Sequence, residues 1–227
     1  MRNSDLKKLQ NSQSEIDHVV YADLFPKLAK PKSRERALSI LHAAIESYRE
    51  CGIENTTYER IAENAKISRP LIFKYFKDYD DIFFHSVKYI RVHFQFYAVQ
   101  AIGKQDQPIA MLSAYIDSTF DWIENFPSYA SGLLLYLQRC SWDERNRELN
   151  THFVETGKSR IAALIRFGVK GGQFRTRDPD TTAKQIQTII AGAMITSACE
   201  RLPDKKNYQA EILDLCLSLV DIKQRVE

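Results

Sequence analysis

The chain has 227 residues, of which 44% are apolar and 27% are charged. That suits a globular protein with a sizeable core, and 8 glycines and 7 prolines are too few for a collagen-like or linker-like chain. No apolar run reaches the ~18 residues of a transmembrane helix, and the N-terminal segment has no apolar secretory signal. We therefore expect a cytoplasmic protein. Its four cysteines are far apart, which argues against a disulfide framework or a metal cluster.

The net charge of +3 is unevenly distributed. Residues 27–77 carry eleven basic and six acidic side chains, whereas residues 78–227 carry 18 basic and 19 acidic ones. A short basic segment near the N-terminus is compatible with a polyanionic partner, although charge alone favours an ordinary solvated surface. Whether this segment binds a polyanion therefore has to be judged from its individual residues.

Apolar residues repeat at helical spacing along nearly the whole chain, so we predict an all-α fold. Residues 1–32 are a polar N-terminal extension, in which residues 16–25 have the spacing of a short docking helix. The first clear helix is predicted to begin at Ser33, whose hydroxyl can cap it, and to end at Gly52 in the left-handed conformation.

Two short helices follow. The first is predicted from a capping box between Thr56 and Glu59 and runs to about residue 65. After a tight turn at residues 66–67, Ser68 caps the second, which runs to about Lys77. Because both are too short to be stable alone, they must pack on the first helix, and their outer faces remain for function. Further helices are predicted near 80–101, 109–125, 128–141, 144–170, 180–201 and 207–225.

The arrangement of residues 33–79 is typical of a helix-turn-helix DNA-binding domain, whose last helix enters the major groove. The forked donors of Arg69 suit guanine O6 and N7, and apolar Pro70 and Leu71 suit a thymine methyl group. Hydroxyls, ammonium groups and backbone N–H groups suit phosphates. The candidate DNA-binding residues are Thr57, Tyr58, Ser68, Arg69, Pro70, Leu71, Phe73, Lys74, Tyr75 and Lys77.

The segment from Thr56 to Tyr79 reads T-T-Y-E-R-I-A-E-N-A-K-I-S-R-P-L-I-F-K-Y-F-K-D-Y. It resembles the N-terminal pattern of TetR-type transcriptional regulators, T-T-x-x-x-I-A-x-x-A-G-V-S-x-x-x-L-Y-x-h-F-x-x-K. The resemblance implies that Thr57 contacts phosphate, that Arg69 lies over base edges, and that Lys74 contacts phosphate or base.

Three positions depart from that pattern. Phe73 stands where the family usually has tyrosine, so the hydroxyl contact expected there is lost. Tyr79 replaces a common lysine, for which Lys77 can compensate. Lys66 replaces the glycine of the turn, which costs up to ~1 kcal/mol if this residue needs a positive φ.

Residues 80–227 are predicted to form a helical domain for dimerisation, because a helix-turn-helix reads two half-sites through two copies. The family resemblance implies that this domain also binds an effector. The 180–201 helix is the best candidate for a homodimer interface, although its apolar stripe equally suits the core of one chain. The residues assigned to this interface are Ile186, Ile190, Ala193 and Met194.

Aromatic residues are concentrated in residues 84–136, as in helical cavities that take small, partly apolar molecules. Such a stripe is more often core than pocket. The family resemblance implies an effector pocket, for which we select Tyr97, Tyr115, Phe120, Tyr136 and Phe167. The chemistry of the effector is not readable from these residues.

These features predict a cytoplasmic, homodimeric transcriptional regulator that binds a palindromic operator in double-stranded DNA and responds to an unknown small molecule. Repression is the commoner mode in the family, and the sequence does not distinguish it from activation. A helical interaction module without DNA binding is the alternative. No phosphate-binding loop, nucleophile motif or metal motif is recognisable, so we expect neither an enzyme nor a cofactor or metal site.

Overall fold

The computed structural model describes residues 24, 25, 28 and 30–220, in which helices are connected by turns and short loops. Its helices are α1 (Pro31–Cys51), α2 (Tyr58–Asn64), α3 (Arg69–Ile72), α4 (Tyr79–Ile102), α5 (Pro108–Asn125), α6 (Pro127–Arg139), α7 (Glu144–Lys170), α8 (Pro179–Cys199) and α9 (Lys205–Ser218). The predicted all-α fold is thus confirmed, and each later helix begins within two residues of its expected start, although α9 ends at Ser218, short of the predicted residue 225. The predicted docking helix lies outside the described residues, apart from its last two.

The chain divides into two compact units. The N-terminal unit comprises the described residues up to Phe96 together with Ser131–Leu135, and the C-terminal unit comprises Tyr97–Ala130 and the described residues from Tyr136 onward. The helix-turn-helix segment lies wholly within the N-terminal unit.

The core of the N-terminal unit is formed by one face of α1, on which α2, α3 and α4 supply buried aliphatic and aromatic side chains. Helix α1 begins at Pro31, two residues before the predicted start, because proline fits the first turn and needs no capping side chain. It ends at Gly52, which has the expected positive φ of 77°.

Leu24 and Phe25, at the end of the N-terminal extension, are also buried in this unit. The Phe25 ring stacks on the His85 ring with 5.7 Å between centroids, and it meets the Phe76 ring edge-on at 6.0 Å. This part of the extension is therefore built into the core.

The C-terminal unit is built around α5, α7 and α8, whose apolar faces bury each other and also cover part of α9. Close packing is most evident at Gly168 of α7. A Cβ atom added there would lie 2.0 Å from Cδ2 of Phe174, a core side chain. The glycine thus allows the chain after α7 to fold back directly onto this helix.

Candidate nucleic-acid interface

Helix α2 begins one residue later than the capping box predicted. The N-cap is Thr57, whose Oγ1 accepts a hydrogen bond from the backbone N–H of Arg60 at 3.2 Å. Thr56 is buried instead and donates its hydroxyl proton to the carbonyl oxygen of Gly52 at 2.8 Å. The predicted capping box is therefore wrong by one position, and Glu59 does not have the capping role predicted for it.

The turn after α2 has the hydrogen bonds of a Schellman motif. The N–H of Ile67 donates to the carbonyl of Ala62 at 2.9 Å, and the N–H of Lys66 donates to that of Glu63 at 3.0 Å. This motif places Lys66 in the left-handed region, with φ of 53°. The strain anticipated for a lysine in place of the usual glycine is therefore present.

Ser68 precedes the recognition helix α3 in an extended conformation, but its side chain makes no capping hydrogen bond. As an α-helix, α3 ends at Ile72 instead of Lys77. Tighter turns then bring the N–H of Tyr75 to the carbonyl of Ile72 at 2.9 Å. Ile72 and Phe76 are buried, so the remaining side chains face outward.

The structure brings the sequence-predicted DNA-binding residues to the surface of the N-terminal unit. Most of them are exposed, namely Thr57, Ser68, Arg69, Pro70, Phe73, Lys74 and Lys77. Tyr58, Leu71 and Tyr75 are partly buried. Phe73 is 47% exposed, so part of its ring is accessible to a partner. We call this set of ten residues the recognition surface.

An aromatic group supports the recognition surface from beneath. The Tyr58 and Phe73 rings lie 4.9 Å apart, and Tyr79 meets Tyr58 edge-on at 6.0 Å. Tyr79 in turn donates its hydroxyl proton to the carbonyl of Ile53 at 2.9 Å. Burial, and then the charge of Asp78, raises the pKa of Tyr58, so its phenol stays protonated at neutral pH. Tyr79 thus has a packing role where the family pattern has a lysine.

One functional candidate was missed by the sequence reasoning. Glu59 forms an ion pair with Arg69, with 2.7 Å between Oε1 and Nη1. The Arg69 guanidinium also lies over the Tyr58 ring, with Cζ 5.7 Å from its centroid. The capping-box interpretation had given Glu59 a purely local role, and its sequence separation from Arg69 carries no periodic signal.

The aromatic residues selected for an effector pocket have different surroundings in the C-terminal unit. Tyr115 and Phe120 belong to its core, and Tyr136 is fully buried and donates its hydroxyl proton to the carbonyl of Asn146 at 2.8 Å. Tyr97 is half-buried and accepts a weak hydrogen bond from Asn125 at 3.4 Å. Phe167 is 49% exposed on α7, so its ring belongs to the surface of the chain and not to its core.

The residues selected for a dimer interface are mostly core residues. Ile186, Ile190 and Ala193 are buried within their own chain, and only Met194 is partly exposed. Of the four, only Met194 is therefore accessible to a partner, and the dimer interface itself stays a prediction. The exposed face of α8 is a different stripe, formed by Thr188, Gly192, Ile195 and Cys199.

The described part of the chain offers neither a metal site nor a membrane-spanning helix. Within it, no group of three or more histidine, cysteine, aspartate and glutamate side chains is arranged to hold a metal ion. None of the helices in the same residues is long and apolar enough to cross a membrane. The recognition surface thus remains the principal candidate for function.

Comparison with known proteins agrees with the helix-turn-helix geometry. The family of bacterial regulatory proteins, tetR family, matches residues 40–85. No curated protein sequence matches the chain significantly.

Solved structures share the fold over most of the chain. A TetR transcription regulator from Haloarcula marismortui is 21% identical with a TM-score of 0.71, covering 84% of this chain and 99% of its own. A transcriptional regulator from Saccharomonospora viridis in complex with choline is 20% identical with a TM-score of 0.74, again covering 84% and 99%. One from Cytophaga hutchinsonii, of the TetR family, is 14% identical with a TM-score of 0.67, covering 84% and 96%. Residues 40–85 thus match the tetR family of bacterial regulatory proteins, and the chain shares the fold of solved transcriptional regulators over most of its length.

Proposed function

We propose that this protein is a cytoplasmic transcriptional repressor whose homodimer binds a palindromic operator and leaves it when a small molecule binds. The observation that carries the proposal is the recognition surface, on which Arg69 is exposed at the start of the helix that a helix-turn-helix inserts into the major groove and Lys74 is exposed just after it. A regulator of this kind acts where bacterial DNA is, in the cytoplasm.

The two cations have different expected roles. Arg69 begins the recognition helix and offers the fork that reads guanine, so its loss should relax base preference at one operator position. Lys74 follows the helix and offers a single ammonium group, which suits a phosphate. Loss of Lys74 should weaken binding to every sequence. It should also reduce the slope of log affinity against log salt concentration by about one, since one fewer counterion is released.

The test begins with sheared genomic DNA, from which the purified protein should enrich a palindromic fragment at moderate salt. Arg69→Ala should then lower the affinity for that fragment by ~1–3 kcal/mol, and Lys74→Ala should lower operator and random-duplex affinity alike. Lys205→Ala is the control, since it removes an exposed cation from the C-terminal unit. No enrichment by the wild-type protein would favour the alternative, a helical interaction module without DNA binding.

A second copy of the chain is the proposed partner of the exposed stripe on α8, together with the neighbouring exposed residues Ala163 and Phe167 of α7. Small residues such as Gly192 allow helices of two copies to approach closely. Ile195→Glu should place a charge in this contact and yield monomers in sedimentation velocity, whereas Leu215→Glu, equally exposed on α9, should leave dimers. Equal behaviour of the two variants would exclude this interface.

The proposed effector binds in the C-terminal unit, near the selected residues Tyr97, Tyr115, Phe120 and Tyr136. Support comes from the fold, since a regulator with a similar structure is in complex with choline. A thermal-shift screen of small molecules, with choline included, should find compounds that raise the melting temperature and release the operator fragment. Repression is tested with a reporter gene behind that fragment, whose expression should rise when the regulator gene is deleted.

A further inference from the structure

Glu59 is an acidic residue at the edge of a surface proposed to bind a polyanion. Its carboxylate lies 2.7 Å from Nη1 of Arg69, and both side chains are more than half exposed. An exposed ion pair of this kind contributes only ~0–1 kcal/mol to stability, so folding gives little reason for it. Facing DNA, in contrast, an unpaired carboxylate is repelled by the phosphates.

Two contacts of Arg69 favour one orientation of its side chain before DNA arrives. Glu59 pairs with Nη1 from the preceding helix, and Cζ lies over the Tyr58 ring, 5.7 Å from its centroid. Tyr58 is itself packed against Phe73 and Tyr79, so the support is anchored in the domain. A guanidinium group has five N–H donors, and Glu59 uses only Nη1, so the fork can hold the carboxylate and a base at once.

We propose that Glu59 is a specificity-determining residue, which holds Arg69 in the orientation that reads guanine and penalises sequences on which Arg69 has to leave it. The inference rests on the proposed function of the recognition surface. On a guanine, Arg69 bonds O6 and N7 while keeping its pair with Glu59. On other bases, Arg69 turns to a phosphate and leaves Glu59 unpaired in the negative potential of the DNA.

In this arrangement, Glu59 affects binding to the operator and binding to random sequence to different extents. Removing the negative charge of Glu59 should strengthen binding to any duplex, because one repulsive charge is lost. The gain should be larger for random sequence, where the carboxylate is unpaired, than for the operator, where Arg69 neutralises it. The ratio of random-duplex to operator dissociation constants should therefore fall.

The experiment compares Glu59→Gln with Glu63→Gln in the full chain. Glu63 lies one turn further along α2, is exposed, and is near Arg60 instead of Arg69, so its substitution makes the same change of charge. Affinities are measured for the duplex enriched from genomic DNA and for a random duplex of equal length. Glu59→Gln should lower the ratio about tenfold, and Glu63→Gln should change both affinities by the same factor.

A second pair of variants tests whether Glu59 acts through Arg69. In an Arg69→Ala background, Glu59→Gln should no longer alter the ratio, because the residue it positions is gone. An unchanged or increased ratio for Glu59→Gln, or an equal effect in both backgrounds, would overturn the role of Glu59 while leaving the proposed function intact. If the wild-type protein itself did not discriminate between the duplexes, the proposed function and this inference would both fail.

Discussion

Replacing Gly168 with alanine should destabilise the protein, although alanine is the better helix former. The added Cβ would lie 2.0, 2.5 and 2.6 Å from three ring atoms of Phe174, where carbon atoms in contact are normally ~3.5–4.0 Å apart. The ring would therefore have to move by ~1.5 Å. Phe174 is only 3% exposed, so that movement must displace other core side chains or take the ring into solvent.

The backbone around Phe174 leaves little freedom for such a movement. The N–H groups of Gln173 and Phe174 donate to the carbonyl of Gly168 at 2.9 and 3.2 Å, and that of Arg175 donates to Val220 at 2.8 Å. Exposing a phenylalanine side chain costs ~2–3 kcal/mol, and overpacking costs a similar amount. The higher helix propensity of alanine offsets up to ~1 kcal/mol of this cost. We therefore expect the free energy of unfolding to fall by ~1–2 kcal/mol.

The assay is urea unfolding followed by circular dichroism, with all variants at one protein concentration, since association adds to apparent stability. Gly157→Ala is the matched control on the same helix. Its Cβ would meet Oε1 of Gln187 at 2.6 Å, at the flexible end of a side chain that can rotate away, and the hydroxyl oxygen of Tyr115 at 3.3 Å, which needs to shift by only a few tenths of an ångström. This variant should lose less than ~0.5 kcal/mol or gain slightly. Equal stability of the two variants would refute the reasoning from the Phe174 ring.

Three further predictions concern the N-terminal unit. Lys66→Gly should raise the free energy of unfolding by ~0.5–1 kcal/mol, because it relieves the positive φ of 53°; an unchanged melting temperature would show that the turn is not strained. Burial, helped by neighbouring His42, lowers the pKa of His93 to about 3. The unfolded chain therefore binds the extra proton as pH falls below ~6.5, and stability should drop by up to ~2 kcal/mol by pH 5. His93→Leu should make the free energy of unfolding, measured by urea titration, less dependent on pH. An unchanged pH dependence would mean that other groups cause it. Phe73→Tyr should strengthen binding to operator and random duplex by a similar factor, because a hydroxyl contacts phosphate without reading bases; a gain for the operator alone would contradict that role.

Periodic patterns predicted the helices well, because burying one face of a helix requires a spacing that the sequence displays directly. The start of α2 was less predictable. Thr56 and Thr57 are both good capping residues, and only the tertiary contact of Thr56 with Gly52 decides between them. Lys66 could be predicted at a turn, but the hydrogen bonds around it were needed to show its left-handed conformation.

Long-range relations were the hardest to predict. Glu59 and Arg69 belong to different helices, so their ion pair depends on the crossing of α2 and α3 and not on any local spacing. On α8, small and apolar residues occur on several faces, and composition cannot say which face meets the core. The structure buries Ile186 and Ile190 and leaves Ile195 exposed.

The burial of Leu24 and Phe25 has a consequence for the timing of folding during synthesis. These residues leave the ribosome early, but the rings that cover Phe25 belong to Phe76 and His85, which are made much later. At ~5–20 residues per second, the two apolar side chains wait on the order of several seconds for their partners. During that interval they are a natural target for chaperones that bind nascent chains, and the core of the DNA-binding domain can close only once α4 has begun to emerge.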